Sequence, residues 1–196
     1  GCAVWRWLRQ MDLPGGLRHT GDMRIEADRD RVMQTLEAIG RAARGPGRLY
    51  LTGGATAVLL GWRATTVDVD LVFDPEPPGV FEAIARLKDD LEVNIELASP
   101  AHFLPELPAW AARSAHIGRF GQVDAFHYDF YAQVLAKLER DHSRDRLDVA
   151  AMRDRGLVAP ERLRTLFEAI KPSLIRFPAV DAATLTQKVA AFGDTA

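Results

Sequence analysis

Tyr50-Leu51-Thr52-Gly53-Gly54-Ala55, followed by Gly61-Trp62-Arg63-Ala64-Thr65-Thr66-Val67-Asp68-Val69-Asp70-Leu71-Val72-Phe73, is the stretch on which the reading turns. Its first part reads as a short buried strand, 48–52, running into two glycines and then a helix over 55–62. Its second part ends in a strand over 67–73. Strand residues two apart point the same way, so Asp68 and Asp70 project from one face, about 7 Å apart along the chain. Two like charges so close repel and favour a cation between them. Magnesium suits, because it accepts one or two carboxylates together with phosphate oxygens. Val67, Val69, Leu71 and Val72 are apolar, which presents the acids from a buried strand.

Gly53 and Gly54 stand between strand and helix, where glycine permits positive φ and close approach of backbone to a ligand. A helix start behind them favours an anion. Arg63 and Thr66 lie in the connection that feeds the acidic strand and could add donors to phosphate. A third carboxylate is expected from a neighbouring strand. Over 92–97 the chain alternates, with Val93, Ile95 and Leu97 on one face and Asn94 and Glu96 on the other. Glu96 is therefore the candidate third acid, as general base or ligand of a second metal.

Outward from this segment, Val32, Met33, Leu36, Ile39 and Ala43 recur at helical spacing within 25–44, ended by Gly45-Pro46-Gly47. Phe81, Ile84, Leu87 and Leu91 make an apolar stripe on a helix over 80–91. Residues 99–110 carry three prolines and are expected to be irregular. A hairpin over 116–120 and 123–128 turns at Gly121-Gln122. Asp129 caps a helix to about Asp141. Ser143 restarts one through Met152, Pro160 opens another, and the last runs over 181–192. Strands and helices interleave early and helices dominate late. The expected fold class is α/β (α+β): a short mixed sheet in a core over 25–128, an N-terminal extension over 1–24, and a C-terminal helical lobe over 129–196.

The 196 residues carry a net charge of −2, which gives no global basic field. The single cysteine, Cys2, excludes a disulfide scaffold and a cysteine-based zinc site. No apolar run reaches the roughly 20 residues that span a bilayer. The start, Gly1-Cys2-Ala3-Val4-Trp5, does not read as a signal peptide, so no membrane and a cytoplasmic location are expected. His102, His116, His127 and His142 are not spaced for zinc.

The pattern Leu51-Thr52-Gly53-Gly54 followed by Asp68-Val69-Asp70 resembles the minimal nucleotidyltransferases of the DNA polymerase β superfamily. Farther on, Tyr131-Ala132-Gln133-Val134-Leu135-Ala136-Lys137-Leu138-Glu139-Arg140, with Arg144-Asp145 and Asp148, is similar to the lysine and Arg-Asp-x-x-Asp segment of abortive-infection-type toxins. The resemblance implies a polymerase β-like core and transfer of a nucleoside monophosphate from an NTP to a hydroxyl acceptor. Two Mg2+ ions would be held by Asp68, Asp70 and Glu96. It also implies that Lys137 binds the triphosphate and Asp148 supports the site. The implied acceptor is RNA or protein, in a toxin–antitoxin setting with an antitoxin partner. Many relatives carry Ser just after the first glycine, where Gly54 and Ala55 stand here, and their third acid is more usually Asp.

Other readings remain open. Asp-x-Asp also begins haloacid-dehalogenase chains, but there it lies on the first strand. The chain could be a nucleotidyltransferase-like module that binds nucleotide or a partner without turnover, or an aminoglycoside-type adenylyltransferase. Lys137 could be a solvated helix residue, and Asp145 and Asp148 partners of Arg144 and Arg146. Trp110 reads as part of a packed loop.

Overall fold

The computed structural model describes residues 25–193, so the extension over 1–24, with Cys2, lies outside the described residues. The fold is mixed α/β. Five strands form one sheet: β1 (Gly47–Leu51), β2 (Asp68–Phe73), β3 (Asn94–Leu97), β4 (Ala115–Phe120) and β5 (Val123–His127), in the order β3-β2-β1-β5-β4. β1 lies antiparallel to β2 and parallel to β5; β2 and β3 are parallel; β4 and β5 form the hairpin. The helices are α1 (Arg29–Ala42), α2 (Gly53–Leu59), α3 (Val80–Leu91), the short α4 (Trp110–Arg113), α5 (Phe130–Arg140), α6 (Ser143–Asp154), α7 (Pro160–Ile170) and α8 (Ala182–Ala191).

Period-two alternation divides the sheet into two apolar layers. Leu49, Leu51, Val69, Leu71, Ile95, Val123 and Ala125 pack with α1, α2 and α3. Tyr50, Val72 and Phe126 point the other way, into a second core built from α5 to α8. Tyr50 stacks on Phe126 at 5.2 Å, and Trp110 stacks on Tyr128 at 4.3 Å. Trp110 is packed as its proline-rich neighbourhood suggested, but it opens the short helix α4 rather than lying in a loop. The helical lobe lies on the sheet face from which Asp68 and Asp70 project.

Capping chemistry sets several boundaries. The Asp28 carboxylate accepts from the Arg31 amide, so α1 starts at Arg29 rather than near Ile25. Asp28 itself is extended, and Ala27 bridges Thr66 instead. Asp129 caps α5 by accepting from the Tyr131 amide, and Asp181 caps α8 from Ala183 and Thr184. The second helix begins at Gly53, two residues earlier than the expected 55, so both glycines belong to its first turn.

Three apolar assignments are corrected. Val67 precedes β2 and is 49 % exposed, because the bridge to Ala27 ends at Thr66 and leaves it outside both cores. Phe81 is 58 % exposed; α3 turns Ile84 and Leu87 inward and packs Leu91 on the core as expected, but Val80 and Ala83 take the place of Phe81. Leu97, at the end of edge strand β3, is also exposed. Residues 99–110 are not wholly irregular, since Pro100–His102 makes a 3-10 turn capped by Ser99.

Candidate active site

The parallel register of β2 and β3 sets Asp68 beside Asn94 and Asp70 beside Glu96. All four side chains alternate against Val69, Leu71 and Ile95, so they form a block of three acids and one amide on the face turned to the helical lobe. The Asn94 amide donates to Asp68 Oδ1 at 2.6 Å and to Glu96 Oε1 at 2.8 Å. It ties the outer two acids together, while Asp70 sits deeper. Burial, then the Asp68 and Glu96 charges, push the Asp70 pKa from 3.8 up to about 6, although Arg140 and Lys137 pull it down. Asp70 is therefore ionised at neutral pH only at a cost, and it takes up a proton at a higher pH than an ordinary carboxylate does.

The two glycines have separate tasks. Gly53 takes φ +58°, and a Cβ there would lie 2.7 Å from Asp70 Oδ2, so glycine is what lets the backbone lie against the carboxylate. Its N–H donates to Gln133 Oε1 at 3.0 Å, so a triphosphate would have to displace Gln133 to use that donor. Gly54 faces the other way: a Cβ would lie 2.0 Å from Thr66 Oγ1. It is small for helix-to-loop packing rather than for a ligand. The Thr66 hydroxyl donates to the Asp68 carbonyl at 3.0 Å and so shapes the entry to β2.

Arg63, Lys137 and Asp148 do not point freely at this block. Asp148, 1 % exposed, accepts from the Trp62 indole at 3.0 Å, from Arg63 Nε at 2.9 Å and Nη2 at 2.7 Å, and from Lys137 Nζ at 2.5 Å. Lys137, 4 % exposed, also donates to Asp145 at 3.2 Å. Lys137 is not a solvated helix residue, and neither aspartate pairs with Arg144 or Arg146: Arg146 turns to Asp141. Asp148 joins α6 to the loop that feeds β2. Such buried pairs are costly to break, because each loss strands a charge.

Residues missed by sequence reasoning complete the arrangement. Gln133 is buried on α5 and braces Gly53. Arg140, one helical turn beyond Lys137, bonds Asp145 Oδ1 at 2.8 Å and lies over the Phe103 ring at 6.0 Å. Its i, i+3 spacing from Lys137 was the available signal. A groove of about 510 Å3 runs beside Thr66 and Val67, floored by Arg63 and Asp148 and walled by Leu147 of α6. His127, on β5, is buried next to the Thr56 hydroxyl at 3.2 Å, and burial drives its pKa from 6.5 to about 4.

Among the described residues, no three His, Cys, Asp or Glu side chains converge into a metal cage, and no helix is long and apolar enough to cross a membrane. What the block offers is two neighbouring carboxylates on one strand, a number magnesium accepts when water and phosphate supply the rest of its shell. No family model, curated protein or solved structure matches the chain.

Proposed function

We propose that the chain is a magnesium-dependent nucleotidyltransferase, moving a nucleoside monophosphate from an NTP to a hydroxyl acceptor. The observation that carries this reading is the Asp68–Asp70–Glu96 block, with the backbone of Gly53 lying against Asp70. Asp68 and Asp70 are the metal-holding pair. Magnesium, when bound, supplies charge to the phosphate oxygens and offsets the repulsion that lifts the Asp70 pKa. Glu96, beside Asp70 in the sheet register, takes the proton from the acceptor hydroxyl in this reading. The hydroxyl oxygen bonds to the α-phosphorus as the bond to the bridging oxygen breaks, and pyrophosphate leaves. Trp62, Arg63, Lys137 and Asp148 hold the lobe against the core, and Gln133 fixes α5 on Gly53 beside the acids. The groove beside Thr66 gives an RNA or protein acceptor a way in, as the toxin–antitoxin resemblance favours.

A second reading, nucleotide binding without turnover, draws on the Asn94 bond that holds Glu96. Incubation with each α-32P-labelled NTP, magnesium and, in turn, total RNA, a protein extract or small aminoglycosides separates the two. Label transferred to an acceptor by the native chain, and lost in Asp68→Asn and Asp70→Asn, supports transfer. Label retained in those variants sinks the two-carboxylate role, and magnesium-dependent binding without transfer leaves the second reading.

A further inference from the structure

Gln133 of α5 holds Gly53, which lies against Asp70. Two cations, Lys137 and Arg140, follow Gln133 at i+4 and i+7 on the same face of that helix, and they are built differently. Lys137 is buried, and its ammonium is held by Asp148 and Asp145 together. To reach a phosphate it would have to abandon two buried carboxylates, one of which also anchors Arg63 and Trp62. Arg140 stands in the last turn of the same helix with its side chain 38 % exposed. Among the described residues its one hydrogen bond runs from Nη2 to Asp145. That bond and the Phe103 ring fix the guanidinium plane, yet leave most of its five N–H donors unused.

We propose that Arg140, rather than Lys137, is the side chain of the helical lobe that receives the phosphate chain of the nucleotide. The inference rests on the nucleotidyltransferase reading and says which residue meets the substrate. A guanidinium held on one edge presents its other edge to two phosphate oxygens at once, which an ammonium with two carboxylates on it does not. Asp145 acts as the positioning residue, since its Oδ1 accepts from both cations and sets Arg140 at a fixed distance from Lys137. Lys137 is the internal strut that keeps Asp145 and Asp148 in place.

The test is equilibrium binding of the α,β-methylene analogues of the four nucleoside triphosphates, with magnesium, to the native chain and to Arg140→Met, Arg140→Lys and Lys137→Met. Tm is recorded for each. Loss of a charged hydrogen-bond partner predicts that Arg140→Met weakens the best-bound analogue roughly tenfold or more at native Tm. Arg140→Lys recovers part of that loss, and Lys137→Met lowers Tm while the folded fraction binds within about threefold of native. Arg140→Met binding as native overturns the assignment and leaves the nucleotidyltransferase reading standing. So does a Lys137→Met variant that keeps its Tm and loses affinity as much as Arg140→Met. A native chain that binds none of the four analogues overturns both.

Discussion

Asp70→Asn is predicted to stabilise the metal-free protein at neutral pH. In the folded chain the Asp70 pKa stands near 6 instead of 3.8, with burial the main cause and the Asp68 and Glu96 charges next. A carboxyl whose folded pKa is raised contributes stability below its unfolded pKa, and that stability is lost as pH rises through the folded value. Between those two values, at roughly 1.4 kcal/mol per pH unit, the ionised carboxylate costs at most about 3 kcal/mol at pH 7.5. Near pH 4 the folded carboxyl is protonated and the unfolded one begins to be, and the cost falls below about 1 kcal/mol. Asparagine keeps the shape and removes the charge. Urea unfolding in EDTA should therefore show the variant more stable than native by about 1–3 kcal/mol at pH 7.5, with the gap closing toward pH 4. For a chain of this size that gap corresponds to roughly 2–4 °C in Tm per kcal/mol. His127 acts in the opposite sense. Its folded pKa is depressed to about 4, so its stability is present above 6.5 and lost as pH falls through the folded value. The two groups offset one another in the native chain, and Asp70→Asn should expose the acid sensitivity of His127. Adding magnesium should reverse the order by stabilising the native chain alone. A variant no more stable than native at pH 7.5 in EDTA, with the same pH profile, would refute the reasoning.

Three further outcomes are expected. Asp148→Ala leaves Lys137 and Arg63 without their shared carboxylate and should cost about 3–5 kcal/mol in urea unfolding; a loss under about 1 kcal/mol would show that the pair is not a keystone. Gly54→Ala pushes a methyl into the Thr66 hydroxyl and should cost about 1–3 kcal/mol, with part of the loss restored by Thr66→Ala in the same chain. Gly53→Ala forces an L-residue to φ +58° against Asp70 Oδ2. It should cost about 1–2 kcal/mol and weaken Mn2+ binding followed by electron paramagnetic resonance, and unaltered Mn2+ affinity would detach Gly53 from the site.

The amino-acid sequence alone determined which polar side chains share a strand face, though it misjudged Val67, Phe81 and Leu97, whose exposure packing decided. Asp68 and Asp70 had to share a face because strand residues two apart do. Asn94 and Glu96 followed the same rule one strand away, and Asp129 announced its helix because a carboxylate satisfies free amides at a helix start. Tertiary structure decided which faces meet. Parallel pairing of β2 with β3 brought Glu96 beside Asp70; nothing in either strand's own pattern specifies its neighbour. Long-range packing turned Asp148 and Lys137 into an internal strut across 85 residues of chain from Arg63 to Asp148, and left Arg140 at the surface of the same helix. It also divided the two glycines, one against a carboxylate and one against a threonine. Charge partners are chosen by proximity in three dimensions, since Coulomb energy and burial depend on distance and surroundings and not on separation along the chain.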